Sequence, residues 1–104
     1  MIEYYLLADD GKTPVQTTEL LEVEKLLRDK EKRKVAHTEI DKDCHVSTVF
    51  LCIDHGWNGE VALFETMVFG GPHDGWMDRY ATWDEAVEGH AKVVRQINSG
   101  ELPG

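Results

Sequence analysis

The sequence predicts an α+β domain: an antiparallel sheet of four or five strands packed against two helices, in the order β-α-β-β-β-(β)-α. Three observations predict it. Residues 45–53 and 61–69 are apolar runs of strand length, joined by a loop carrying Asn58-Gly59, a good hairpin turn signal. Thr82-Trp83-Asp84-Glu85 has the form of a capping box, with threonine at the cap and glutamate three residues on. Leu20, Val23 and Leu27 fall on one helical stripe, with Leu26 beside it.

The elements follow in chain order. Ile2 to Ala8 reads as a strand. Asp9-Asp10-Gly11-Lys12 is turn chemistry, and Pro14 continues the break. Thr17 or Thr18 then caps a helix that runs to about Arg33. Glu19, Glu22 and Glu24 occupy its start and Arg28, Lys30, Lys32 and Arg33 its end, a polarity that suits the helix dipole and reads as a solvated face. Lys34 to Ile40 is a second strand, followed by a turn at Asp41-Lys42-Asp43. His45 to Ile53 carries bulk on both faces, which predicts a central strand covered on both sides. Val61 to Phe69 returns antiparallel to it, Gly70 to Gly75 turns, and Arg79-Tyr80-Ala81 is a short strand. The last helix carries Trp83, Val87, His90, Val94 and Ile97 at alternating spacings of four and three. Asn98-Ser99-Gly100 stops it, with Pro103 beyond.

Composition bounds the answer. The 104 residues fit a single domain spanning the chain, and 41% hydrophobic with 30% charged residues is ordinary globular composition. No apolar run approaches the roughly 20 residues that span a bilayer, and the N-terminus has no basic segment of a secretory signal. The expectation is a cytoplasmic protein with no membrane partner. Cys44 and Cys52 lie eight residues apart on one predicted strand, about 26 Å if it is straight, so they do not pair. The net charge of −9 is unevenly spread: residues 35–91 hold 11 acids and two bases, Lys42 and Arg79, and the rest holds nine of each. That excludes direct nucleic-acid binding through a basic footprint. It permits binding to a basic host protein surface, or acidity may simply keep the chain soluble.

No motif identifies a catalytic reaction. There is no H-E-x-x-H, C-x-x-C, EF-hand loop or G-x-S-x-G. Cys44 and His45 are neighbours that point to opposite strand faces. Gly70-Gly71 lacks the spacing and lysine of a phosphate loop. No catalytic residue, metal ligand or cofactor is expected. Residues 70–83 concentrate Trp76, Trp83, Tyr80, His73, three glycines and Arg79, the parts that a flat or anionic ligand needs. Glu65 and His90 sit on predicted inward faces and need partners there. If Glu65, Arg79 and His90 converge, they make a polar pocket beside Tyr80 and Trp76.

Val46-Ser-Thr-Val-Phe-Leu51, Asp54-His55, Leu63-Phe-Glu-Thr-Met-Val-Phe-Gly-Gly71, Arg79-Tyr80, Thr82-Trp-Asp-Glu-Ala86 and Gly89-His90 resemble a family of small uncharacterised proteins of bacteriophages, prophages and bacteria. The resemblance covers about residues 33 to 97. It implies a phage-like accessory role and supplies no reaction. Its shared polar positions are His55, Glu65, Thr66, Arg79, Tyr80 and His90, which with Trp76 form the expected ligand site. Typical members carry glycine where this chain has Cys52, which implies that neither cysteine is functional. The expected function is stoichiometric binding in counter-defence or host takeover, by capture of a small anionic or nucleotide ligand. The alternatives are an acidic inhibitor of a basic host protein, as anti-CRISPR and DNA-mimic proteins are, a metal-dependent hydrolase using His55, Glu65 and His90, or an assembly accessory that forms a homo-oligomer.

Overall fold

A computed structural model describes residues 2–56 and 59–102. The chain runs β1 (Tyr4–Leu7), β2 (Pro14–Thr17), α1 (Leu20–Arg28), α2 (Lys30–Arg33), β3 (Lys34–Asp41), β4 (Cys44–Phe50), β5 (Phe64–Phe69), β6 (Met77–Tyr80) and α3 (Trp83–Ser99). β3 to β6 form an antiparallel meander in chain order, and β1 and β2 form a separate hairpin. The α+β class and the antiparallel sheet are as the sequence predicts. Tyr4 touches the region of the larger sheet through an isolated bridge to Ile53.

Several local details differ. Pro14 opens a strand rather than extending a break: β1 and β2 pair through Leu7↔Pro14, at the turn end. Asp10 holds that turn by accepting the N–H groups of Lys12 (2.8 Å) and Thr13 (2.9 Å). Thr17 ends β2, and its hydroxyl accepts the Glu19 N–H (3.0 Å) without being the helix cap. The single predicted helix is two. Asp29 breaks it, and its side chain accepts the Lys32 N–H (3.1 Å) as the cap of α2. Val23 of α1 is buried against the end of the sheet, while Leu20 is 56% exposed and leaves the predicted stripe.

β4 is an interior strand, but it is covered on one face only. Cys44, Val46, Thr48 and Phe50 are buried, while His45, Ser47 and Val49 are half-buried on the other side. β4 ends at Phe50, short of Ile53, because Cys52 adopts φ 67°. That left-handed backbone is rare for a residue with a Cβ. Glycine would have no such cost there. β5 likewise starts at Phe64 rather than Val61. Leu63 still bonds across on both sides, its carbonyl accepting the Leu51 N–H (2.8 Å) and its N–H donating to the Tyr80 carbonyl (2.9 Å). The predicted hairpin residue Asn58 and Pro103 lie outside the described residues. Gly70 has φ 80°, and a Cβ there would collide with the Asp43 carbonyl, so turn packing accounts for it.

α3 packs across one face of the sheet. Its N-terminus has the predicted cap: the Thr82 hydroxyl accepts the Glu85 N–H (3.1 Å). Gly100 ends it in the left-handed region. The buried stripe is Ala86, His90 and Val93, with Trp83, Val94 and Ile97 packed beside it. Val87 is 43% exposed, so the true stripe is rotated from the predicted one. The rotation brings Gly89 over Tyr80, whose ring occupies the space a Cβ would fill.

Gly89 therefore tests the docking of α3. Glycine to alanine inside a helix ordinarily stabilises by about 1 kcal/mol. Here the added methyl displaces a half-buried ring, and overpacking costs about 1–3 kcal/mol. Urea denaturation of Gly89→Ala is expected to show a net loss of stability.

Candidate functional site

The predicted site residues fall into three places. Thr66, Tyr80 and His90 lie between α3 and the sheet, Glu65 and Arg79 lie on the opposite, open face, and His55 is exposed in the β4–β5 connection. Trp76 precedes β6 and packs against the cluster of Cys44, Val46, Val68 and Val93. Strand alternation causes the separation. Glu65 and Thr66 are consecutive, as are Arg79 and Tyr80, so each pair is divided by the sheet. Glu65, Arg79 and His90 do not converge, and neither do His55, Glu65 and His90. Among the described residues, no three His, Cys, Asp or Glu side chains are placed to share a metal ion.

On the covered face a polar layer crosses the core. His90 is buried, with Nε2 on the Thr38 hydroxyl (2.8 Å) and Nδ1 on the Thr48 hydroxyl (2.7 Å). Thr48 in turn bonds the Thr66 hydroxyl. One neutral imidazole fits this arrangement, one nitrogen donating and the other accepting. Burial first, and then the nearby His37, hold the His90 pKa below its ordinary 6.5. Tyr80 extends the layer towards β6. Burial raises its phenol and Thr66 partly offsets this, but its buried hydroxyl makes no hydrogen bond of full geometry. Outside it is a crevice of about 180 Å³ lined by Trp76, Asp78, Tyr80, Gly89, Lys92, Val93 and Gln96.

The open face holds two features. Arg79 Nε donates to Glu65 Oε2 (3.0 Å) across the β5–β6 register, with side chains only 20% and 14% exposed. Glu65 thus has in Arg79 the partner that a largely buried carboxylate needs. The second feature was not predicted. His37, His45 and Phe69, from three neighbouring strands, stack with ring centroids 5.0 and 4.9 Å apart. They line a cleft of about 470 Å³ with Ser47, Val49 and the residues Lys30, Glu31, Arg33 and Lys34 at the α2–β3 junction. Three cations and one acid meet there, in a chain of net charge −9. The signal was present in the run Lys30 to Lys34, whose reading as a solvated helix end missed that β3 carries His37 beside it.

Cys44 and Cys52 are free and buried. Burial raises both thiols, Cys52 to about 11, and the carboxylates Asp41, Asp74 and Glu39 add to the effect on Cys44. Such thiols are poor nucleophiles. No helix among the described residues is long and apolar enough to cross a membrane. Comparison with family models, curated proteins and solved structures finds no match to this chain.

Two outcomes follow from the geometry. His90 binds its proton less readily folded than unfolded, so the unfolded state holds more protons near and below pH 6.5. Its contribution is fully present above pH 6.5 and is lost as pH falls below it. Unfolding free energies measured at steps from about pH 7 to about pH 5 should therefore decline, and His90→Gln should flatten that part of the profile. Arg79→Ala removes the partner of a largely buried carboxylate. Denaturant unfolding should report a loss of about 1–3 kcal/mol.

Proposed function

We propose that this chain acts by stoichiometric binding in the host cytoplasm, as a phage-type accessory protein in counter-defence or host takeover. Its cargo is a small anionic ligand, a nucleotide signal among them. The observation that carries this reading is the open-face cleft, where Lys30, Arg33 and Lys34 face His37, His45 and Phe69. Its size is within the roughly 300–1,000 Å³ of small-molecule sites, and it combines an apolar floor with a few convergent donors. The site thus moves from the predicted set around Arg79 to the α2–β3 junction, with the same ligand class.

A second reading has its own support. Of the 11 acids in residues 35–91, Glu39, Asp41, Asp43, Glu60, Asp74, Asp84, Glu85 and Glu88 are exposed. Such a surface suits an inhibitor that occupies a basic host protein, with salt-sensitive association.

Native mass spectrometry of the protein purified from its host, before and after gentle denaturation, separates the two. Anion capture predicts a released small anion that is lost in a Lys30→Ala/Lys34→Ala variant. A protein recovered without small-molecule cargo, and bound instead to a basic host protein, would replace this reading with the second.

A further inference from the structure

The cleft has two ends of different chemistry, and each asks for a different part of one ligand. We infer that the cleft takes a phosphate monoester bearing an aromatic ring, of the nucleoside monophosphate type, rather than a bare inorganic anion. This rests on the anion-capture reading of the same cleft.

The cationic end is arranged for an anion. Arg33 lines the cleft and is anchored by Nη1 donating to the Phe50 carbonyl (3.2 Å), which fixes its planar guanidinium at the wall. Of the acids nearby, Glu31 lies against Lys34 Nζ (3.3 Å) and Glu39 hydrogen-bonds His37 Nε2 (2.9 Å). Lys30 adds a third positive charge. A phosphate there meets three basic side chains and one acid among the lining residues.

The other end is aromatic and unfinished. Phe69 ends the His37–His45–Phe69 stack and is 41% exposed. The β5–β6 pairing stops at Met67↔Met77, so no β6 partner stands opposite Phe69. A ligand ring that extends the stack covers surface the fold leaves open, and rings already packed together lose little freedom on binding it. Volume points the same way. The cleft of about 470 Å³ is many times the roughly 30 Å³ of a liquid water molecule, so a bare phosphate would leave most of it wet. The net charge of −9 repels a long polyanion, which favours a ligand with one phosphate group over a nucleic acid strand.

Isothermal titration of the full chain with AMP, adenosine and inorganic phosphate, at one ionic strength, tests this. AMP should bind about tenfold or more tighter than phosphate, the scale of one base–aromatic stack. Adenosine should bind more weakly than AMP. Phe69→Ala, checked for folding by circular dichroism, should remove the preference for AMP over phosphate. Equal binding of AMP and phosphate, or an undiminished preference in Phe69→Ala, would overturn the aromatic ligand and leave anion capture standing. Failure of all three probes to bind would overturn both.

Discussion

The docking of α3 depends on one buried imidazole. His90 reaches from the helix to hydroxyls on two adjacent strands, Thr38 of β3 and Thr48 of β4, and Thr66 of β5 closes the row. Apolar packing alone is non-directional and tolerates a helix that slides or rotates. A buried polar group does not, because a turn of α3 would strand the imidazole and the hydroxyls without partners at about 1–3 kcal/mol each. The clamp therefore selects which stripe of α3 faces the sheet. It puts Ala86 and Val93 inward, turns Val87 to solvent and brings Gly89 onto Tyr80. Two small positions, Ala86 and Gly89, let the helix approach closely enough for the clamp to close.

With α3 committed to one side, the meander keeps its other face free of helices, and chemistry sorts accordingly. The covered face holds a neutral polar layer inside an apolar shell. The open face holds the Glu65–Arg79 pair, the histidine–phenylalanine stack and the cations of α2 and Lys34. The two faces are separated by strand parity, and the sequence carries that information. The alternation that parts Cys44 from His45 parts Glu65 from Thr66 and Arg79 from Tyr80 by the same rule. Applied to β5 and β6, it rules out one pocket that contains both Arg79 and Tyr80 from the sequence alone.

Other features were legible to different degrees. The capping box at Thr82, the glycine stop at Gly100 and the strand pair around residues 45–69 are local signals, and local physics suffices to place them. The partner of His90 is not local: Thr48 is 42 positions away, and only the register of the fold brings the two together. The break at Asp29 and the strand at Pro14 are intermediate cases. Aspartate is an ordinary cap that a charge-rich helix can hide, and proline tolerates the first position of a strand. Cys52 is the reverse case. Its place in an apolar run reads as a straight strand, and only the backbone turn at φ 67° shows why β4 ends before it.

The acidity of the chain and the proposed capture of an anion in the cleft are compatible because the two act over different distances. At physiological ionic strength the field of an exposed charge is screened within about 8 Å. An incoming anion therefore feels the net charge of −9 weakly until it is close, and then feels mainly the groups that line its site. Among the residues that line the cleft, Lys30, Arg33 and Lys34 outnumber the one acid, Glu31. Local acids work against long anions: Asp41, Asp43 and Asp74 are exposed, and a further phosphate laid near them meets repulsion rather than a counter-charge. On the proposed reading, charge placement sets an upper size for the ligand and the aromatic stack a lower one, and the proposed single phosphate carrying one ring satisfies both.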